Sequence, residues 1–222
     1  MSAHLTEEEQ LEALKRWWSE NGKSLVIAVV LGVGGYVGYN GWQDSRQQNA
    51  EIASAKYEEI TELLRQQEAL TDENKSTLSH LAQELKQGHA DTFYGVQAAM
   101  LLAKQAVEAN DLATAESELR WAESKADTAN VKQLVNLRLG RVLLAQDKRD
   151  DALAIAQQTV GPAFKALYIE LKADALAAKG DTAAASEAYQ AALDALTPEQ
   201  AGLAAGLRMK LNSLQPVAAG SL

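Results

Sequence analysis

The sequence predicts an all-α protein: one N-terminal transmembrane helix followed by a right-handed solenoid of helical hairpins. Three observations carry this prediction. No charged residue lies between Ser24 and Gln43. The rest is rich in alanine, the whole chain holds three prolines, and no alternating strand pattern is present. Three later stretches align with one another at offsets of about 37 and 33 residues.

The leading tail, residues 1–23, begins with Thr6-Glu7-Glu8-Glu9, which has the form of a capping box. Leu11, Leu14 and Trp18 follow at helical spacing. They predict a short amphipathic helix from Glu7 to Glu20, broken by Asn21-Gly22. Such a helix would lie on a membrane surface or grip a cytoplasmic partner.

The span covers residues 24–43. Wound as a helix, Ser24 to Trp42 is roughly 28 Å long, the thickness of a bilayer's hydrocarbon core. Trp17 and Trp18 precede it, and Tyr36, Tyr39 and Trp42 close it, where amphipathic rings settle at headgroup depth. A cleaved signal peptide would have a short, net-positive start. Here Glu7, Glu8, Glu9, Glu12 and Glu20 oppose Lys15, Arg16 and Lys23, so an uncleaved signal anchor is expected. The leading flank carries Lys15, Arg16 and Lys23 against Arg46 and Lys56 behind the span. The positive-inside rule then places the N-terminus in the cytoplasm and the large C-terminal part across the membrane. Gly34 and Gly38 form a GxxxG pair, extended by Gly32, Gly35 and Gly41, where a second helix can approach closely. The pattern does not say whether that helix comes from another copy or from a different protein.

Residues 44–215 have enough length for one domain with a real core, and 216–222 read as a frayed tail. Ala50 to Leu70 predicts a helix leaving the membrane, and Thr71 caps another that ends near Gly88. A first helix of the repeat region starts around Thr92. The aligned stretches begin at Leu101, Leu139 and Lys172. Each is a helical pattern, a polar break and a second helix, the breaks being Asn110-Asp111, Asp147 to Asp150 and Gly180-Asp181. Small residues pair across the breaks: Ala103 with Ala115, Gly140 with Ala152, Ala173 with Ala185. In a tight helix pair such residues face each other where the axes cross, and a larger side chain there costs roughly 1–3 kcal/mol. Leu119 and Tyr189, then Ala122 and Ala192, fill the gap to the next pair. Glu116, beside Ala115, is expected to be exposed. Thr197-Pro198-Glu199-Gln200 supplies a cap, a proline at N1 and a Gln at N3 for a last helix. That helix would close the stack with Leu203, Leu207, Leu211 and Leu214.

The period and the small–small–large–small pattern resemble a tetratricopeptide repeat, with departures at Ala156 and Thr159 in the second unit. Over nearly its whole length the chain also resembles the YfgM family, the ancillary subunits of the SecYEG translocon. The resemblance rests on EALKRWWSENGKSLVIAVVLGVGGYVGYNGW, TFYGVQAAMLLAK, VNLRLGRVLLAQ and the final MKLNSL. It implies a single-span inner-membrane protein with a periplasmic tetratricopeptide-like domain. It also implies two partners, the SecYEG translocon and a membrane-anchored periplasmic chaperone. The repeats by themselves fit equally a cell-envelope scaffold for division or secretion machinery.

Composition narrows the chemistry. The net charge is −9, without a basic patch for nucleic acid. There is no cysteine, hence no disulfide and no Cys-ligated metal. His80 and His89 are nine residues apart, which is not a same-face ligand pair. No HExxH, P-loop, GxSxG or helix-opening GxGxxG occurs. No catalytic, cofactor-binding or metal site and no small-molecule substrate is expected, and the chain reads as a non-enzyme. A stack of hairpins curves and leaves its first helices on a concave face. Lys104, Arg138, Arg141 and Lys172 fall on those helices as candidate contacts for a partner's carboxylate or backbone, with Asn136 as a polar contact.

Overall fold

The computed structural model describes residues 7–65 and 71–214, and every regular element among them is helical. Thr6, residues 66–70 and the tail from 215 lie outside the described residues, so the cap expected at Thr6 and the tail expected at 216–222 fall there. Packing divides the chain into two compact units, Met1–Glu51 and Ile52–Leu222.

The first unit is helix throughout its described part. Helix α1 spans Glu7–Arg65, so the expected break at Asn21-Gly22 is absent and the helix expected to start at Ala50 is not separate. Two local contacts account for the continuity. Asn21 Nδ2 donates to Trp17 O at 3.1 Å, and the Trp18 indole covers Gly22 so closely that a Cβ there would stand 3.0 Å from Trp18 Cε2. These offset the roughly 0.5–1 kcal/mol that a glycine costs inside a helix. Residues 7–20 therefore continue the axis of the span and do not form a separate surface helix. α1 is long and apolar enough to cross a membrane, and none of its apolar window is buried.

The second unit is a stack of hairpins. The end of α1 and α2 (Asp72–Gly88) form the first, around Ala53, Ile60, Leu78, Ala82 and Leu85. Three repeats follow: α3 (Phe93–Glu108) with α4 (Leu112–Lys125), α5 (Ala129–Ala145) with α6 (Arg149–Ala156), and α7 (Pro162–Ala178) with α8 (Thr182–Asp194). Thr71, Thr92 and Thr128 cap α2, α3 and α5 by accepting from the backbone N–H three residues on.

One turn is built three times. Asn110, Asp147 and Gly180 have φ of 60°, 64° and 84°, the left-handed region that Asn, Asp and Gly tolerate best. The residue after each donates its N–H to a carbonyl five positions back: Asp111 to Ala106, Lys148 to Leu143, Asp181 to Leu176, at 2.8–3.0 Å. Asp111 and Asp181 then cap the second helix with a carboxylate oxygen, while Lys148 supplies no side-chain cap. α6 is correspondingly short and ends at Ala156. Thr159, aligned with the later alanines, therefore lies beyond the helix.

The paired small residues are all buried: Ala103, Ala115, Gly140, Ala152, Ala173 and Ala185. Gly140 differs from the expected pairing. A Cβ at Gly140 would overlap Leu171 Cδ2 on α7, whereas Ile155 Cγ2 on α6 stands at 3.4 Å. The glycine makes room chiefly for the next repeat, because short α6 lets α5 and α7 meet directly. Tyr168 Oη, donating to Gln133 O at 2.8 Å, crosses the same seam. Gly95 is small for another reason: a Cβ there would overlap the His89 carbonyl of the α2–α3 turn.

Polar contacts tie successive hairpins. Lys86 and Glu118 meet at 2.8 Å between α2 and α4, both largely buried, with the ammonium 5.0 Å from the Trp121 ring centre. Glu116 is a hub, not the exposed residue expected beside Ala115. Its side chain is 14% exposed and accepts from Lys148 at 2.6 Å, Arg120 at 2.8 Å and Gln146 at 3.0 Å. At the far end, Thr197 and Gln200 form the expected capping box, but Pro198–Leu203 is a 3₁₀ turn before α9 (Ala204–Ser213). Three residues per turn carry Leu203 out of phase, and it stays exposed. Leu207, Leu211 and Leu214 close the stack against Ala173, Ala185 and Tyr189.

Two outcomes follow from this packing. Gly206 on α9 has open space around it. Gly206→Ala should therefore stabilise the protein by about 0.5–1 kcal/mol through helix propensity. Gly140→Ala should destabilise it by about 1–2 kcal/mol despite the same gain. Urea melts of the full-length protein in detergent, followed by helical signal, would compare them; shifts of the same sign would remove the tight α5–α7 contact.

The hydrogen bond from Lys148, followed by those from Arg120 and Gln146, holds the Glu116 carboxyl down to about 2 against the opposing effect of burial. Its contribution is then complete above about pH 4.5 and is lost as pH falls towards 2. Glu116→Gln should cost about 1–2 kcal/mol at pH 7. It should also flatten the stability profile between those pH values; an unchanged profile would contradict the hub.

Candidate functional site

Small residues at the helix crossings leave a groove between the first helices of the first two repeats. Its volume is about 540 Å³. Met100, Leu101 and Val107 of α3 line one side, Val142 and Ala145 of α5 the other, and Ala103 and Leu119 reach it from below. Tyr57, near the end of α1, stands at the margin and stacks on Tyr94 at 5.6 Å between ring centres.

Lys104, Arg138 and Arg141 stand in this lining, so the structure brings three of the five expected contact residues together. Each is loosely held. Lys104 faces Glu108 at 3.6 Å on its own exposed helix surface. Arg141 faces Glu170 at 3.6 Å. Arg138 Nη1 lies 3.4 Å from Met100 Sδ and has no carboxylate partner among the described residues.

The other two candidates lie elsewhere. Asn136 is two positions before Arg138, about 200° around the helix, and points inward. It is 3% exposed, and its Nδ2 donates to Gln158 Oε1 at 3.2 Å. It is a core amide and not a groove contact. Lys172 is exposed on α7, beyond the groove. The apolar floor was not anticipated as a site, although Met100, Leu101, Lys104 and Val107 recur at helical spacing along one face.

A polar network adjoins the groove through Glu170. Lys210 Nζ donates to Glu170 at 2.7 Å and to both oxygens of Asp174 at 2.9 Å, and Tyr189 Oη donates to Asp174 at 2.5 Å. Burial works against the Lys210 charge, but the two carboxylates outweigh it and hold its ammonium above the usual range. Burial, and after it the Asp174 hydrogen bond, pushes the Tyr189 hydroxyl up. These groups support the helix–helix seam between α7, α8 and α9.

In the first unit, Gly34 and Gly38 have no atom near the position of an added Cβ, and neither do Gly32, Gly35 and Gly41. The small surface is open to a neighbouring helix. His80 lies exposed 3.6 Å from Glu84, and His89 is buried at the end of α2. Among the described residues no cluster of His, Asp and Glu is arranged to hold a metal ion.

Comparison with known proteins agrees with this architecture. The family of the tetratricopeptide repeat-like domain matches residues 15–216. The ancillary SecYEG translocon subunit of Haemophilus influenzae is 32% identical over 214 residues, covering 96% of this chain and 100% of the relative. That of Escherichia coli is 31% identical over 215 residues, covering 96% and 99%. That of Neisseria gonorrhoeae is 32% identical over 215 residues, covering 97% and 100%. No solved structure matches the chain. End-to-end similarity to these subunits shows that the chain, which carries a tetratricopeptide repeat-like domain, belongs to the ancillary SecYEG translocon subunit family.

Proposed function

We propose that this protein is a non-enzymatic, membrane-anchored interaction subunit that associates with a SecYEG translocon and links it to periplasmic chaperones during protein export. The observation that carries the translocon part is similarity over nearly the full length, span included, to proteins named as ancillary translocon subunits. The uncharged span acts as a signal anchor, and its open glycine surface packs against a translocon helix. The cations flanking the span favour a cytoplasmic N-terminus and a periplasmic repeat domain. The chaperone link is supported by a repeat domain whose accessible groove suits protein segments and holds no catalytic constellation.

Co-purification from membranes tests the two surfaces separately. Gly34→Leu with Gly38→Leu should reduce recovered SecYEG several-fold and leave the repeat domain folded. Arg138→Glu with Arg141→Glu should reduce recovered chaperone and leave SecYEG in place. Loss of both partners with either pair would contradict separate surfaces. Protease added to intact spheroplasts should remove the repeat domain and spare a short N-terminal fragment; a protected repeat domain would reverse the orientation.

A further inference from the structure

The cations of the groove are held more loosely than five lysines elsewhere in the repeat unit. Lys86, Lys125, Lys148, Lys179 and Lys210 each reach a carboxylate on another element at 2.6–2.8 Å. In the groove Lys104 and Arg141 stand 3.6 Å from theirs, and Arg138 meets a thioether. In a chain of net charge −9, three loosely paired cations thus gather beside one apolar groove. Glu170, the partner of Arg141, is already neutralised by Lys210 at 2.7 Å. Arg141 can leave it without stranding a carboxylate.

We propose that the α3–α5 groove takes a partner-protein segment that presents aliphatic side chains flanked by carboxylates. The aliphatic groups fill the floor of Met100, Leu101 and Val142, and the carboxylates meet Arg138, Lys104 and Arg141 at the rim. Charge complementarity selects this occupant. A basic segment would bring like charges together, and a bare phosphate would leave the apolar floor uncovered. Met100 adapts its unbranched side chain to differing aliphatic shapes, so the groove reads charge placement more strictly than side-chain identity. This inference rests on the protein-binding reading of the repeat domain and is independent of the translocon.

The test uses the full-length protein in detergent micelles and short fluorescent helical peptides, followed by anisotropy. One peptide carries leucines along one face flanked by two glutamates. A second replaces both glutamates with glutamine, and a third with lysine. The glutamate peptide should bind saturably, the glutamine peptide about tenfold more weakly, and the lysine peptide more weakly still. Arg138→Gln with Lys104→Gln should weaken the glutamate peptide about tenfold and leave the glutamine peptide nearly unchanged. Both positions are exposed, and circular dichroism checks that the variant is folded. Should it not fold, the peptide comparison on the unaltered protein still decides. Equal affinity for the glutamate and glutamine peptides, no saturable binding, or a folded variant that binds the glutamate peptide normally would overturn the proposal. SecYEG recovery on the same preparations reports the translocon reading separately, so either can fail alone.

Discussion

Close approach of helices at small residues is the constraint on which the repeat unit depends. Ala103, Ala115, Ala152, Ala173 and Ala185 are each at most 2% exposed, and at Gly140 an added Cβ would overlap Leu171 Cδ2. Each hairpin is too thin to bury its own apolar faces, so stability comes from stacking. The spacing of the stack is set by how little lies at the crossings. The left-handed turns at Asn110, Asp147 and Gly180 hold the two helices of each hairpin at the angle that lets those crossings form. The same smallness opens the groove: Ala103 and Ala145 leave space that larger residues would have filled.

Much of this was legible in the sequence because the signals were local. The uncharged span is one contiguous run of sequence, and the threonine caps at Thr71 and Thr92 and the three polar breaks each depend on residues close together in the chain. Features set by neighbours from another repeat were not legible. Gly140 was paired with Ala152 by spacing, but its decisive neighbour is Leu171, brought in by the shortness of α6. Glu116 read as a surface residue because Lys148 and Gln146 reach it from about 30 positions away. Asn136 and Arg138 look alike as polar residues on one helix, and only helical phase, which turns one to Gln158 and the other to Met100, separates a core amide from a groove cation. The Asn21-Gly22 pair carried a valid breaker signal that Trp18 and the continuing helix overrode.

The candidate site divides between the two compact units, and each part has its own physics. The span offers an open glycine surface in a setting where association relies on packing, with no hydrophobic driving force between helices. The groove offers apolar area and loosely paired cations in water, where desolvation drives contact and charge placement selects among partners. Glu170 connects the groove to the closing helix, since it faces Arg141 on one side and Lys210 on the other. The end of the stack and the rim of the groove therefore share one electrostatic element.

A double-mutant cycle on Gly140 and Leu171 tests the central packing claim most directly. Stability would be measured for the unaltered protein, Gly140→Ala, Leu171→Ala and the double variant. Close contact predicts that shortening Leu171 relieves the overlap, so the double variant is more stable than the sum of single effects by about 1–2 kcal/mol. Additive effects within about 0.3 kcal/mol would contradict the claim that this glycine exists to admit the neighbouring repeat.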